Sequence, residues 1–211
     1  MVYKITDVMR DVRVCLDQNM TSEQLLTTED VDTLALDDIV RSKIPEAVIR
    51  VHSGAPVYQL EAGHNFGDAV YWGDQASGWV LLPEDFMRLI VFEMSDWEQA
   101  VFTAIGTDDP EYRLQRQRVK ALRGVPQRPV CAIATRPEGR VLEFYSCKDE
   151  SAYVRRAQYL PYPKIDADGG IDICERCHTA VVYATAALVL ITLGEAEKAS
   201  TLFEISKSAM Q

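Results

Sequence analysis

Apolar residues recur at intervals of three and four near both ends of the chain, which places them on one face of a helix. This pattern predicts helices over residues 5–16 and 37–53, and Pro45 inside the second should kink it or divide it into two segments. It also predicts helices over residues 172–193 and 195–210, separated by a single glycine. Two helices joined across so short a break are expected to pack as an antiparallel hairpin.

Between these helices the pattern changes to short apolar runs bounded by turn residues, which is typical of β-strands. Residues 79–82 and 89–94 are two such runs. Residues 129–135 and 140–147 flank a four-residue link and predict a β-hairpin. The middle of the chain is therefore expected to be a β-rich insertion between helices.

The order of these elements predicts an α+β fold that is mainly an α-helical bundle with a C-terminal antiparallel helical hairpin, a β-rich insertion and a basic arm. Residues 1–56 are expected to supply the N-terminal helices of the bundle, and residues 57–165 the β-rich insertion. Residues 166–211 are expected to form the helical hairpin that completes the bundle. The basic arm lies at about residues 108–128, inside the insertion.

The basic arm is the strongest local departure from an acidic chain. The whole chain of 211 residues has 22 basic and 32 acidic residues and a net charge of −10, whereas the arm contributes six interface candidates: Arg113, Arg116, Arg118, Lys120, Arg123 and Arg128. They are either the solvated face of a polar helix or a docking surface for an acidic neighbour or for nucleic acid. We favour a protein neighbour, because in any self-assembly an acidic copy of the chain is an available partner.

Composition excludes several classes of protein. A general nucleic-acid binder is usually basic, and this chain is acidic. No apolar run reaches the ~18 residues that suggest a membrane span, and the first residues lack the apolar stretch of a signal peptide. The five cysteines are therefore expected to be reduced thiols in a cytoplasmic compartment.

The segment Cys174-Glu175-Arg176-Cys177-His178 spells the C-x-x-C-H of c-type haem attachment, and the same side chains are possible zinc ligands. Haem attachment needs an exported protein, and a zinc site needs further ligands, for which Cys131 and Cys147 are loosely spaced candidates. Two buried structural thiols are the simpler interpretation. No nucleophile elbow or phosphate-binding loop is present in the sequence. We therefore expect no catalytic residue, no metal, no cofactor and no enzymatic activity.

Residues 177–188 and 193–199 resemble the closing helices of head-to-tail connector proteins of tailed phages, in which an alanine-rich helix, a glycine break and a second amphipathic helix recur. Residues 12–17 resemble the end of the first helix of that family. Residues 44–47 and 79–89 resemble its second helix and its middle section. The arrangement as a whole is most similar to the portal-vertex ring proteins of crAss-like phages.

The resemblance implies a structural virion protein at the head-to-tail junction, assembled in the host cytoplasm. Its partners would be other copies of itself in a ring of about twelve, the portal protein, and other connector or tail proteins, with no membrane involved. Genomic DNA would pass through the lumen without specific binding, which suits a negatively charged wall. A cytoplasmic α-helical protein-binding module is the alternative, and a Cys/His metal or haem protein is a third possibility.

Overall fold

The computed structural model describes residues 1–19, 36–60, 63–117, 119 and 122–211. The helices in chain order are α1 Ile5–Asn19, α2 Leu36–Gly54, α3 Pro110–Leu114, α4 His178–Thr192 and α5 Ala196–Ser208. The strands are β1 Val2–Lys4, β2 His64–Asn65, β3 Val70–Trp72, β4 Gly78–Leu81, β5 Phe86–Met94, β6 Cys131–Arg136, β7 Gly139–Phe144, β8 Val154–Pro161 and β9 Gly170–Asp172.

The chain divides into two compact units. The helical unit comprises residues Met1–Glu61 and Pro163–Gln211, and the β-rich unit comprises residues Ala62–Tyr162. Both ends of the chain therefore belong to one unit, and the middle of the chain folds as the other.

The expectation of a mainly α-helical bundle is wrong. Among the described residues there are five helices and nine strands in three antiparallel sheets, with 40% helix and 26% strand, so the fold is α+β with a substantial β component. The physical reason is that the β-rich unit buries a core of its own between two sheets, with Phe86, Phe92 and Phe144 fully buried in it. A segment with its own hydrophobic core is a second structural unit and not an insertion that depends on a helical bundle.

Helix α4 is the centre of the helical unit, where it packs against α1, α2 and α5. Ten of its 15 residues are buried, so it is apolar on nearly every side, as a central helix must be. Gly194 ends this part of the chain with a positive φ of 86°, and Glu195 N donates to Leu190 O at 2.9 Å. This is the left-handed termination that glycine favours, and it turns the chain directly into α5.

Helix α5 runs antiparallel to α4. The buried Ser206 hydroxyl near the end of α5 donates to the carbonyl of Ala180 in the first turn of α4, at 2.8 Å. Leu202 and Ala199 are the buried apolar residues of α5. The small side chains Ala184 and Ala187 of α4 are also buried.

Two details of the helical unit differ from the sequence-based expectations. Helix α2 is one helix with Pro45 inside it and not two separate segments, because Val40, Ile44, Ala47, Val48 and Val51 form a fully buried stripe that spans the proline. The lost backbone hydrogen bond is outweighed by packing on both sides of it. Helix α4 begins at His178, so Cys177 ends the short 3-10 turn Glu175–Cys177 that precedes the helix, and Cys174 lies just before that turn.

The β-rich unit contains a three-stranded sheet in the order β2-β8-β5 and a four-stranded sheet in the order β3-β4-β7-β6. The β-hairpin expected over residues 129–147 is confirmed, since β6 and β7 pair antiparallel with Ile133 opposite Leu142. Side chains of both sheets share one core, in which the Phe92 and Phe144 rings lie 5.9 Å apart. Among the helices that the structure describes, none has both the length and the apolar character that crossing a bilayer requires.

We predict that Ala187→Leu destabilises the helical unit. Ala187 is fully buried on α4, so three extra carbons have no space and should cost about 1–3 kcal/mol of unfolding free energy. Thermal and urea denaturation would measure the loss. Ala196→Leu is the matched control, because Ala196 is exposed at the start of α5. Equal stability of the two variants would show that the α4 packing is looser than its burial indicates.

Candidate interface formed by the basic arm

The basic arm begins with a short helix, α3, that the sequence defines locally. Asp109 precedes the helix, and its carboxylate accepts a hydrogen bond from Glu111 N at 2.8 Å. Pro110 occupies the first helical position, where its missing N–H costs nothing. Helix α3 has only five residues, so it depends on packing against the sheet, and Tyr112 is the residue it buries.

Tyr112 is held by a carboxylate on the outer face of the four-stranded sheet. Glu143 lies in β7 between Leu142 and Phe144, which point into the core, so its own side chain points to the opposite face. It is only 3% exposed. Its Oε2 accepts from the Tyr112 hydroxyl at 3.0 Å, which fastens α3 to the sheet.

Two more residues donate to the Glu143 carboxylate. Arg136 Nε and Nη2 lie 2.8 and 2.7 Å from Oε1, as a two-point ion pair. The Tyr145 hydroxyl, two residues along from Glu143 on the same face, donates to Oε2. Both carboxylate oxygens are therefore satisfied, which is what makes a buried charge tolerable.

The hydrogen bonds also set the protonation of this cluster. Burial alone raises the pKa of Glu143, but the hydrogen bonds from Tyr145, Arg136 and Tyr112 outweigh it, and the pKa lies below its ordinary value. Burial, followed by the hydrogen bond to Glu143, raises the pKa of Tyr145 well above its ordinary value. The carboxylate is therefore ionised and the phenol neutral near pH 7.

Arg116 extends this cluster toward solvent. Its Nη2 donates to the Tyr112 hydroxyl at 2.8 Å, and its guanidinium lies 5.0 Å from the centre of the Tyr112 ring. The Tyr112 hydroxyl thus accepts from Arg116 while it donates to Glu143. Arg116 is therefore a positioning residue that holds Tyr112 in place.

The second half of the basic arm is fastened separately. Gly124 N donates to Gln115 Oε1 at 2.8 Å, which joins the two halves. A Cβ on Gly124 would clash with Ser146 Oγ and crowd the backbone of Val130, so this position favours glycine. Pro126 O accepts from Glu98 N at 2.9 Å, which ties the arm to the turn after β5. The described parts of the arm are therefore folded against the β-rich unit.

The six interface candidates have different surroundings. Arg113 and Arg128 are exposed, and their side chains make no hydrogen bond or ion pair with any described residue. Arg116 contacts Tyr112, and Arg123 is buried and donates to Gln75. Arg118 and Lys120 lie outside the described residues. Of the candidates that the structure describes, Arg113 and Arg128 are therefore the exposed ones whose side chains make no hydrogen bond to another described residue.

An aromatic stack lies beside this cluster on the same face of the sheet. Tyr71 and Trp79 stack with ring centres 4.2 Å apart, and the Arg136 guanidinium lies 5.1 Å from the Trp79 ring. The register explains the arrangement, since Trp79 is opposite both Tyr71 and Glu143. Tyr71 is 42% exposed, so this stack enlarges the surface that the arm presents.

Sequence reasoning missed Glu143 and the residues around it. A charged residue alternating with apolar ones in a strand ordinarily marks the solvent face, and Glu143 does lie on that face. What covers it is helix α3 of the arm, whose Tyr112 is 31 residues away along the chain. The available signal was Tyr112, an aromatic residue between Glu111 and Arg113 in a polar segment.

The Cys-x-x-Cys-His segment has structural contacts. Cys174 and Cys177 are buried, and Cys174 N donates to Nε2 of the buried His52 at 3.2 Å. The His178 ring stacks on Tyr3 with centres 4.6 Å apart. Among the described residues, no three His, Cys, Asp or Glu side chains are grouped so that they could hold a metal ion. Cys131 and Cys147 belong to the β-rich unit, where burial raises the pKa of both thiols.

No protein-family model matches the chain, and no curated protein matches it in sequence. The function of the protein must therefore be inferred from the geometry described above and from the resemblance in its sequence.

We predict that Glu143→Gln loosens the basic arm and lowers the unfolding free energy by about 2–4 kcal/mol at neutral pH, because an uncharged amide cannot accept from all of the donors. Chemical denaturation measures the loss. Glu138→Gln is the control, since Glu138 is an exposed carboxylate in the turn between β6 and β7.

The wild type and Glu143→Gln can also be compared over a range of pH. The folded pKa of Glu143 lies below its unfolded value, so the unfolded chain binds the extra proton and stability rises with pH in that interval. The contribution is complete above the ordinary carboxyl pKa of about 4.3 and is lost as the pH falls through the folded value. The difference between the wild type and Glu143→Gln should shrink below about pH 4.5. A difference that stays constant to pH 3 would contradict this assignment.

Proposed function

We propose that this protein is a structural component of a tailed phage that forms a ring at the head-to-tail junction, beneath the portal. In this proposal the basic arm is the surface that docks onto a neighbouring subunit or the portal. The observation that supports it best is the fastening of the arm to its own sheet, which leaves Arg113 and Arg128 exposed on an otherwise acidic protein.

A fastened arm is suited to assembly because it is ordered before it meets its partner. Ordering a flexible segment at an interface reduces affinity, and a segment already held in position avoids that cost. Helix α3 is fixed by the hydrogen bond between Tyr112 and Glu143, and the second half of the basic arm is fixed by the hydrogen bond between Gly124 and Gln115. Arg113 extends from the fixed helix, so its charge is presented at a defined place.

The charge distribution favours a contact between unlike surfaces. A net charge of −10 means that copies of this protein repel one another in most orientations. A contact that joins the arm of one copy to an acidic surface of the next copy is attractive. Such a contact is heterologous, because it joins two different surfaces of identical subunits. Contacts of this kind close into rings when the rotation between neighbours permits it.

A second candidate function is a helical protein-binding module, which is supported by a groove of about 690 Å³ in the helical unit. It lies between α2 and α5, where Ile191, Phe203 and Met210 contribute apolar surface. Arg50 lies 4.5 Å from the centre of the Phe203 ring and covers part of that surface. Light scattering at several concentrations separates the two functions, because a ring component self-associates and a monomeric binding module does not.

We predict that the double variant Arg113→Glu and Arg128→Glu folds normally but is excluded from virions. Both side chains are exposed, so their reversal leaves the fold intact while it repels an acidic partner. The measurement is the amount of the variant in purified particles, with circular dichroism as the check on folding. The control reverses two exposed lysines of the helical unit, Lys164→Glu and Lys207→Glu. Incorporation of the arm variant at the wild-type level would contradict a docking role.

We also predict that the protein has little affinity for duplex DNA. If the subunits surround a DNA path, an acidic wall lets the genome pass, whereas a basic wall would hold the phosphates. A mobility-shift assay at physiological salt should show no complex at about 1 µM protein, the range in which non-specific binders begin to associate. Submicromolar binding that weakens steeply with salt would show that the arm contacts DNA.

A further inference from the structure

A cleft of about 780 Å³ opens in the β-rich unit beside the second half of the basic arm. Polar lining comes from Gln75, Arg123 and Lys148, and apolar lining comes from Val125, Pro126 and Tyr145. The cleft therefore combines cations with apolar walls. Its volume is in the range of sites that hold small organic molecules.

Arg123 is the unusual feature of this cleft. It is only 8% exposed, yet no described carboxylate lies within ion-pair distance of its guanidinium. Its Nη1 donates to Gln75 Oε1 and its Nη2 to Gln75 O, both uncharged acceptors. Its Nε is buried and has no partner among the described residues. A buried guanidinium without a counter-charge is costly, so the site is electrostatically incomplete.

The loop that receives Arg123 is held in a strained conformation. Gln75 and Ala76 are consecutive non-glycine residues with φ of 63° and 54°. Residues of this kind rarely adopt the left-handed region unless the surrounding structure imposes it. Here the strained backbone places both the side-chain and the main-chain oxygen of Gln75 against Arg123.

None of the described residues that line the cleft is an aspartate or a glutamate. Burial, and then the nearby Asp96 carboxylate, raises the pKa of the Cys147 thiol in its wall to about 12. The raised pKa of Tyr145 keeps that phenol neutral as well. Asp96 itself is not in the lining, and its Oδ2 accepts from Lys148 N at 2.6 Å. The charge that faces the cleft near pH 7 is therefore positive, from Arg123 and Lys148.

We propose that this cleft binds a carboxylate carried on an apolar body, with Arg123 and Lys148 as its counter-charges. A guanidinium matches the planar carboxylate group, and the apolar walls favour an organic carrier over a small hydrated anion such as phosphate. The carboxylate belongs either to a free organic acid or to an acidic side chain of a second copy of this chain. This site is distinct from the exposed Arg113 and Arg128 of the proposed ring interface.

The side-chain Nε–H resonance of Arg123 in a ¹⁵N-labelled protein reports directly on the site. Titration with hexanoate should shift this resonance saturably, whereas hexanol should not, because it carries the same apolar body without the charge. Inorganic phosphate should shift it more weakly than hexanoate. If the carboxylate comes from a second copy, the same resonance should also move with protein concentration alone, which separates the two sources.

Variants of the cleft residues provide a second measurement. Lys148→Ala should weaken hexanoate binding several-fold. Arg123→Lys should weaken it at least tenfold, because an ammonium lacks the planar guanidinium that can donate two parallel hydrogen bonds to a carboxylate. Arg113→Gln, on the same arm but outside the cleft, is the control and should bind as the wild type does. The proposal is overturned if hexanoate and concentration both leave the wild-type resonance unmoved, if hexanol acts equally, or if phosphate binds more tightly. Because these three outcomes are measured on the wild-type protein, they hold even where a variant is unstable.

Discussion

The buried carboxylate of Glu143 is the interaction on which the surface of the β-rich unit depends. It is covered by a tyrosine from the basic arm and paired with an arginine from the neighbouring strand, so it joins elements far apart in sequence. Without the carboxylate the hydroxyl of Tyr112 would lose its acceptor, and the ring that Arg116 contacts would no longer be fixed to the sheet. A five-residue helix such as α3 does not persist alone in water, so its position follows from this contact.

The arginines of the arm divide into two groups that have opposite roles. Arg116, although exposed, is hydrogen-bonded to Tyr112, and Arg123 is buried against Gln75, so both help to hold the arm. Arg113 and Arg128 are exposed, and their side chains hold no other described residue in place. A sequence shows the same guanidinium in all four places. The distinction matters for function, because reversing an arginine that holds the arm disturbs the fold, whereas reversing one that makes no such contact tests the interface alone.

The helices near the two ends were predictable, because an apolar stripe at helical spacing needs no knowledge of the rest of the chain. The β6–β7 hairpin was predictable for the same reason, since its turn residues are local. Strand β8 was not predictable, because its exposed Arg155 and Arg156 interrupt the alternation of apolar and polar residues that marks a strand. Its pairing with β5 creates the second sheet, and missing it led to the expectation of a helical bundle. The Glu143 cluster was likewise hidden, because its burial is created by a distant segment.

The central claim is that the basic arm is fastened to its own sheet before any partner is present. Hydrogen exchange of the isolated protein tests this most directly at the amides of Tyr112 and Gly124, whose N–H groups donate to Asp109 O and Gln115 Oε1. The account predicts that both amides exchange far more slowly than in an unstructured peptide and that Glu143→Gln accelerates the Tyr112 amide. Exchange of the wild-type amides at the rate of an unstructured peptide would contradict it.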